Sequence, residues 1–488
     1  CALPISCSCR ITMYEKRKNY ELIYLLVISL ALALVFLVSY SYFSTQHLTS
    51  FHDLDYYASL VNIYYSKNIS TFFSYYDFLS NPIVYPRSLI FMYIYGPTYS
   101  AFIFSSAILN AVLTFMLFFL LKKIFDDKFS FNLIMIIIGS SFFIELISFP
   151  YIDLTFFLLL AIFQCLLYLA CEKKENSPWI IPVLILIILT KQDFLSLIFL
   201  TSAFAIGYAY FRKYFFPKRL IILIFFGILL GLFIFSLFVK FNPLTYNFER
   251  VEKARTLTNG SDTLRSMFLL FPNVYVSILI YGMALSLFIK KESVIWILLF
   301  IANRLHQIVI TIIGIKVVPR FNLMTYFVSM VIFLLFVKKI NQVYRLIYIP
   351  ILALFIFNLA NINTNSMQYV YTDGATNYWF ADFFSKFQKE SNYYFESDPS
   401  GKGFDKCYNM DRDLNIPRQA YSDGYLEDYR ILANFEVVET ISEADYILCE
   451  KCSSEITDGF RKIDRYRINT HVRSICNGKE FNLYVRTA

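Results

Sequence analysis

A short acidic motif, FHDLDYY, occupies residues 51–57 and comes after the first long apolar run of the chain. Its two carboxylates, Asp53 and Asp55, lie two residues apart. They can therefore share a divalent cation, or one can act as a general base while the other orients a substrate hydroxyl. Asp is also common where a loop enters a helix, and YYASLVNIYY at 56–65 has a helical pattern, so a helix cap beside a solvated acid is the structural alternative.

Three basic residues lie near the ends of other apolar runs: Arg87 in YPRSL, Lys191 in LTKQD and Arg320 in VVPRF. A cation at such a position can bind the phosphate of an anionic lipid head. It can equally extend its side chain to the membrane surface without binding a ligand. A neighbouring acid, Asp193, offers Lys191 a third possibility, which is a local ion pair.

Two more polar residues, Arg304 and His306 in LFIANRLHQIVI, lie inside an apolar run. Placing a charged side chain at the centre of a membrane-inserted helix costs roughly 2.5 to 3.5 kcal/mol unless the charge is paired or hydrated. We therefore expect both side chains to face a polar interior. That interior is either part of an active site or a structural ion pair with an acid such as Glu145.

The composition indicates what must position these residues. The chain has 488 residues, of which 57% are hydrophobic and only 16% are charged, which excludes an ordinary soluble protein of this length. We predict a polytopic bundle of about eleven transmembrane helices. The run at 179–190 is short for a span, so the count changes by one if this run does not cross the membrane. The predicted spans cover residues 21–43, 99–121, 131–149, 151–171, 179–190, 194–211, 218–240, 273–289, 293–315, 321–337 and 345–361.

The two ends of the bundle differ in their content of Lys and Arg. If eleven spans are threaded with the N-terminus in the cytoplasm, every basic cluster falls on the cytoplasmic side. The net charge of +8 is then a membrane-topology signal and requires no nucleic-acid partner. The clusters are formed by Lys16, Arg17, Lys18, Lys122, Lys123, Lys173, Lys174, Arg212, Lys213, Lys218, Arg219, Lys290, Lys291, Lys338, Lys339 and Arg345.

This threading divides the chain into regions. Residues 1–12, CALPISCSCRIT, bear no likeness to the rest of the chain, and we expect them to be an upstream artefact that precedes the true start at Met13. Residues 13–361 form the transmembrane domain, whose first external loop, 44–98, carries the acidic motif. Residues 362–488 form an extracytoplasmic domain.

The C-terminal region, 362–488, is polar, and its pattern predicts a small α/β ectodomain. One predicted helix is ATNYWFADFFSKFQKE at 375–390. The predicted strands are NYYFES at 392–397, NFEVVET at 434–440, ADYILCE at 444–450 and EFNLYVRT at 480–487. Its four cysteines, Cys407, Cys449, Cys452 and Cys476, predict one or two disulfides, and the alternative is a zinc site opened by CEKC.

Residues 20–340 resemble the GT-C superfamily of membrane glycosyltransferases, which includes the protein O-mannosyltransferases and the lipid A aminoarabinose transferase. The first external loop with its Asp-x-Asp pair is the main likeness. SFPYIDLTFFLLLAIFQCLLYLACEKK is similar to a junction that places an external acid, here Asp153, at the head of an apolar helix. WIIPVLILIILTKQD resembles a helix that ends in Thr-Lys, and VVPRFNLMTYFVSMVIFLLF resembles a late helix introduced by an arginine, here Arg320.

The resemblance implies a hexosyltransferase that uses a polyprenyl-phosphate sugar donor and works on the extracytoplasmic side. Phosphate is a good leaving group, so one carboxylate base is sufficient. We assign that base to Asp53 with Asp55 as its partner, while the reverse assignment stays open. Arg320 is the first choice for the donor phosphate, and the further candidate substrate-binding residues are Arg87, Lys191, Asp153 and Tyr56.

The cofactor and the acceptor stay open. Mg²⁺ or Mn²⁺ at Asp53 and Asp55 is one option, and catalysis without a metal is the other. The partners implied are the lipid-linked donor, the membrane lipids and an acceptor that is a protein, a lipid or a glycan.

Two alternatives come from other classes of protein. Intramembrane Arg and His also suit a solute transporter or lipid flippase, although the sequence has no internal repeat. A non-enzymatic assembly protein with a binding ectodomain is the other. The sequence contains no P-loop, GxGxxG, HExxH or GxSxG motif in a suitable context, so ATP-driven transport, nicotinamide chemistry, zinc proteolysis and serine hydrolysis are not supported.

Overall fold

The part of the chain that the structure describes is mainly helical and includes a small β-sheet. It forms two compact units, one from 1–41 and 103–369, the other from 42–102 and 370–488. The structure, a computed structural model, describes residues 5–44, 84–96, 99–147, 152–175, 177–191, 194–213, 217–238, 274–290, 293–312, 323–361, 391–395, 436–438, 440–449, 452, 456–467 and 480–487.

Every apolar run that was predicted to span the membrane is helical over most of its length. Apolar side chains on all faces favour a helix that buries itself in protein or lipid, because its backbone groups are satisfied internally. The helices are α1 (Ile5–Ser44), α2 (Val84–Tyr95), α3 (Tyr99–Ile124), α4 (Asp127–Ile138), α5 (Ser141–Leu146), α6 (Ile152–Glu172), α7 (Ile180–Lys191), α8 (Leu195–Lys213), α9 (Lys218–Phe238), α10 (Val274–Ile289), α11 (Val294–Ile312), α12 (Leu323–Lys339), α13 (Asn341–Leu346) and α14 (Tyr348–Ala360).

Fewer helices than the predicted eleven are long and apolar enough to cross a membrane by themselves, within the described residues. Within the described residues, five helical segments are long and apolar enough to cross a membrane: Tyr20–Tyr40, Ile103–Ile124, Asp153–Glu172, Leu195–Arg212 and Lys218–Leu237. Shorter apolar helices include α7, α10 and α14. The count of eleven spans is therefore not confirmed, whereas the presence of several helices that could cross a membrane is.

One predicted span, 131–149, is interrupted where α4 gives way to α5. The Ser140 hydroxyl donates to the Ile137 carbonyl at 2.6 Å, and the Asn358 side-chain amide donates to the Gly139 carbonyl at 2.7 Å. A Cβ at Gly139 would meet the Met135 carbonyl oxygen at 3.0 Å and Phe355 of α14 at 3.2 Å. Close packing of α14 on this glycine and the two hydrogen bonds hold the break in place.

Helix α6 is the most enclosed of the five candidate spans. Inside the protein, 94% of its span is buried, compared with 28% for α1 and 33% for α9. Its apolar side chains therefore pack mainly against protein, and its polar side chains must find partners there as well.

Helices α7 and α9 approach each other closely through two glycines of α9. A Cβ at Gly227 would lie 2.9 Å from Leu184, and one at Gly231 would lie 2.7 Å from Ile188. The same added atoms would lie 3.3 Å from the Cα atoms of Ile181 and Ile185 respectively. The GILLG segment is thus a small-residue contact face of the type that brings membrane helices together.

The sheet belongs to the second unit and has the order β2-β1-β3-β5-β4. Strand β1 runs parallel to β2 and β3, while β5 runs antiparallel to β3 and β4. The strands are β1 (Asn392–Phe395), β2 (Glu436–Val437), β3 (Tyr446–Cys449), β4 (Phe460–Arg467) and β5 (Glu480–Arg486). All four predicted strands are confirmed, β4 was not predicted, and the predicted helix at 375–390 lies outside the described residues.

The CEKC sequence begins at the last residue of β3. Cys449 and Cys452 are joined by a disulfide with a Cα–Cα distance of 5.5 Å, which agrees with the predicted bridge and not with a zinc site formed by these two thiolates. The other two cysteines of this region, Cys407 and Cys476, lie outside the described residues.

Candidate functional site

Four of the predicted site residues lie outside the part of the chain that the structure describes: Asp53, Asp55, Tyr56 and Arg320. Their proposed roles stay predictions. Three predicted residues are described, and two of these, Asp153 and Lys191, come together.

Asp153 and Lys191 form a buried ion pair. Asp153 lies in the first turn of α6, and Lys191 is the last residue of α7, so an antiparallel arrangement of the two helices brings their side chains together. The Lys191 ammonium contacts an Asp153 carboxylate oxygen, with 12% and 3% of the side chains exposed respectively. Lys191 therefore turns into the protein and does not extend to the surface. The alternative local partner, Asp193, lies outside the described residues.

Aromatic rings extend this pair towards α11. The Lys191 ammonium lies 5.2 Å from the centroid of the Phe194 ring, a distance at which a cation is attracted to the ring face. The Phe194 ring packs against Phe156 at 4.8 Å and against the His306 imidazole at 5.6 Å. The ion pair and the imidazole thus share one aromatic neighbour.

His306 lies in the interior, as predicted for an ionisable residue within a span. Its side chain is 1% exposed, and its Nδ1 lies 3.0 Å from the Ser196 hydroxyl at the start of α8. Its Nε2 is buried and has no hydrogen-bond partner among the described residues. The other residue predicted to lie within this span, Arg304, is 5% exposed, donates to the Gln307 side chain and lies 6.0 Å from the Tyr281 ring.

A stripe of polar side chains runs along α6. Asp153, Gln164, Tyr168 and Glu172 recur at intervals that keep them near one face of the helix. The Gln164 amide nitrogen donates to Asn303 of α11 at 3.1 Å, and the Tyr168 ring stacks on Trp296 at 5.1 Å. We call these four residues the α6 stripe. The sequence shows this spacing but does not mark Gln164 as a site residue, because it lies in an otherwise apolar run.

The far end of the α6 stripe is highly charged. Glu172 accepts hydrogen bonds from Tyr208 and Arg212. Further ion pairs of the first unit join Lys122 to Glu21 at 2.5 Å, Lys123 to Glu175 at 3.4 Å and Lys338 to Asp126 at 2.5 Å. Since Lys173 also donates to the Lys123 carbonyl, several of the predicted basic clusters meet at one end of this unit.

The Asp153–Lys191 pair lies at the opposite end of α6 from this charged end. Asp153 and Glu172 lie in the first and last turns of α6, and a rise of 1.5 Å per residue separates them by roughly 28 Å. This is close to the thickness of a membrane hydrocarbon core.

Arg87, the third described candidate, belongs to the second unit. It lies in the first half of α2 and is 8% exposed, although Ile90, Tyr93 and Ile94 of the same helix are exposed. A guanidinium in this environment contacts protein groups instead of reaching outward, which argues against simple extension to the surface.

No cluster of three or more His, Cys, Asp or Glu side chains suited to a metal ion occurs within the described residues. The predicted metal ligands, Asp53 and Asp55, lie outside that part of the chain, so a divalent cation at these two residues stays a prediction from the sequence.

No protein-family model matches the chain, and searches of curated proteins and of solved structures found no significant match.

Proposed function

We propose that the chain is a multi-pass membrane glycosyltransferase of the GT-C type, which transfers a sugar from a polyprenyl-phosphate donor to an acceptor hydroxyl. The observation that supports it best is the buried Asp153–Lys191 pair at the end of α6 opposite the Lys- and Arg-rich end. By the positive-inside rule, the charged end is cytoplasmic and the ion pair is extracytoplasmic. We propose with it the predicted threading, in which about eleven crossings leave the N-terminus in the cytoplasm and the C-terminal domain outside.

The ion pair suits a site for a lipid phosphate. An ammonium that already has a carboxylate partner can be held in an apolar region at a lower cost than a lone cation. When the donor phosphate approaches, Lys191 can share its three N–H groups between the phosphate and Asp153. Arg320 is proposed as the second phosphate-binding cation, and Arg87 and Tyr56 as further substrate contacts.

In this proposal Asp53 removes the proton of the acceptor hydroxyl while the acceptor oxygen attacks the anomeric carbon of the sugar. The bond between that carbon and the phosphate oxygen breaks, and the polyprenyl phosphate leaves with the electron pair. Asp55 orients the acceptor or binds a divalent cation, and the cationic groups stabilise the charge on the leaving phosphate.

The test uses the purified full-length protein in liposomes that contain radiolabelled polyprenyl-phosphate sugars, with transfer of label to added acceptors as the readout. Asp53→Asn should abolish transfer while membrane insertion is retained. Asp464→Asn, which changes an exposed acid of β4, is the matched control and should keep full activity. Full activity of Asp53→Asn, or a cytosolic location of loop 44–98 by reporter tagging, overturns the proposal.

A second variant tests the donor site. Arg320→Ala should weaken the apparent affinity for the donor more than that for the acceptor, because the lost guanidinium is assigned to the phosphate. An unchanged apparent donor affinity contradicts this role.

The α6 stripe favours a second candidate, a transporter or flippase, because polar side chains along a buried helix suit a path for a solute or lipid head. The two candidates give different products in the same liposomes. A transferase forms a new glycosidic bond, whereas a transporter moves the labelled lipid or solute across the bilayer and leaves it chemically unchanged.

A further inference from the structure

Two buried polar atoms lie inward of the Asp153–Lys191 pair, and neither has a hydrogen-bond partner among the described residues. They are His306 Nε2 and Gln164 Oε1. Both side chains are held at their other polar atom, His306 by Ser196 at 3.0 Å and Gln164 by Asn303 at 3.1 Å. A buried polar atom that lacks a partner is destabilising, so two such atoms on anchored side chains need an explanation.

The two atoms belong to one region of the first unit. Gln164 bonds Asn303, and His306 lies three residues after Asn303 on α11, which places the two α11 residues on one side of the helix. The rise between them is roughly 4.5 Å. Phe194 connects this region to the ion pair, because its ring contacts His306 on one side and lies near Lys191.

The chemistry of the two atoms selects a hydroxyl-bearing ligand. Gln164 Oε1 only accepts hydrogen bonds, so a phosphate, which also only accepts, cannot satisfy it. His306 Nε2 donates or accepts according to the tautomer that Ser196 selects. A hydroxyl both donates and accepts, and therefore matches both atoms with either tautomer. The neighbouring rings of Phe156 and Phe194 pack against each other and make this region apolar apart from these two atoms and their partners.

We infer that the binding site continues inward from the Asp153–Lys191 pair and that His306 Nε2 and Gln164 Oε1 bind hydroxyl groups of the sugar carried by the lipid. The inference rests on the proposed function, since it assigns the sugar of the same donor whose phosphate is placed at Lys191. Ser196 and Asn303 act as positioning residues that fix the imidazole and the amide.

The test measures binding without turnover. The full-length protein, labelled with ¹⁵N-histidine, is placed in phospholipid nanodiscs, and the His306 ring nitrogens are assigned as the resonances that disappear in His306→Asn. The probe is n-octyl glucoside below its micellar concentration, which carries hydroxyls on an apolar tail. The probe without hydroxyls is n-octyl phosphate at about pH 8, where it is fully ionised because its second pKa is roughly 6. We expect octyl glucoside to shift the His306 Nε2 resonance in a saturable manner and octyl phosphate to leave it unchanged.

Three variants make the result specific. Gln164→Leu should weaken octyl glucoside binding at least several-fold, because one of the two hydroxyl partners is removed. Ser196→Ala changes an exposed side chain, so it should fold normally, move the Nδ1 resonance and reduce the response to the sugar. Ser236→Ala is the matched control, since this exposed hydroxyl bonds only a carbonyl of its own helix, that of Phe233, within the described residues.

The inference is overturned if octyl glucoside does not shift His306, or if octyl phosphate shifts it equally. It is also overturned if Gln164→Leu and Ser196→Ala both bind octyl glucoside as the unaltered protein does. These outcomes are separate from the transfer assay: loss of transfer in Asp53→Asn can occur with a normal His306 response, and a normal response can occur in a protein that transfers no sugar.

Discussion

The Asp153 carboxylate at the start of α6 pairs with the Lys191 ammonium at the end of α7, and both side chains are almost enclosed by protein. Removing two charges from water is costly, and their mutual attraction offsets that cost only while both are present. The pair therefore fixes the relative position of two helix ends, whether or not Lys191 also binds a phosphate.

Removing one member of this pair should destabilise the protein more than removing both. We expect Asp153→Asn or Lys191→Met alone to lower the free energy of unfolding by about 3–5 kcal/mol, because the remaining charge is buried without its partner. The double variant should recover most of the loss. Thermal unfolding of the detergent-solubilised protein measures all three, and additive losses in the double variant contradict a coupled pair.

The sequence predicts the helices well and the partners of single residues poorly. Long apolar runs can satisfy their backbone only as helices in an apolar environment, so the pattern alone is enough. The partner of Lys191 is a different matter, because Asp193 is close in sequence whereas Asp153 approaches only through the antiparallel packing of α6 and α7. Local spacing carries no information on that packing.

The sheet shows the same division. Strands β1, β3 and β5 contain the apolar or aromatic residues that favour a pleated surface, and the sequence predicts them. It does not predict strand β4, FRKIDRYR, because the side chains from Arg461 to Arg465 are exposed and mostly charged. The strand conformation of β4 comes from the antiparallel ladder with β5, a tertiary contact that is invisible in its own residue pattern.

The stability contributed by Asp126 should depend on pH. Asp126 caps α4 by accepting from the Phe129 backbone N–H at 2.8 Å, and it pairs with Lys338. Partial burial alone would raise the pKa of Asp126, but the hydrogen bonds from Lys338 and Phe129 and the nearby charge of Lys128 outweigh it and hold this pKa below its usual value. The contribution is therefore fully present above about pH 4 and is lost as pH falls through the lowered pKa.

Asp126→Asn measures that contribution. At pH 7 the variant should lose about 0.5–1.5 kcal/mol of stability, because the exposed ion pair is screened by water and the cap is partly kept by the amide. The difference from the unaltered protein should shrink below about pH 4 and also in about 1 M salt. A difference that is constant from pH 7 to pH 3 contradicts the ionic component. Denaturant unfolding in detergent over this pH range is the measurement.

Arg486 should hold the short 3₁₀ turn at 441–443 against the sheet. Its Nε donates to the Ala444 carbonyl at 2.9 Å, and its Nη2 donates to the carbonyls of Ile441 and Ser442 at 2.9 and 2.8 Å. Lysine cannot reproduce this planar fork, so Arg486→Lys should cost about 1–3 kcal/mol locally.

Hydrogen exchange of residues 440–449 in the full-length protein reports this loss as faster exchange. Arg461→Lys is the control, because Arg461 is an exposed base on the neighbouring strand β4 and should leave the exchange of 440–449 unchanged. Equal exchange in Arg486→Lys and the unaltered protein means that the three carbonyls do not need the guanidinium.

The close approach of α7 and α9 should depend on the absence of side chains at Gly227 and Gly231. A valine at either position must displace Leu184 or Ile188 and also press on the α7 backbone, whose Cα atoms would lie 3.3 Å from the added Cβ. Overpacking of this kind costs typically about 1–3 kcal/mol, and the flexible ends of Leu184 and Ile188 can yield while the backbone cannot.

Gly207→Val on α8 is the matched control, since a Cβ there meets no atom within 4 Å among the described residues. The thermal midpoint in detergent should fall for Gly227→Val and Gly231→Val and stay within error for Gly207→Val. If all three variants behave alike, the α7–α9 contact does not depend on its two glycines, and the helix pair that carries Lys191 is positioned by other contacts.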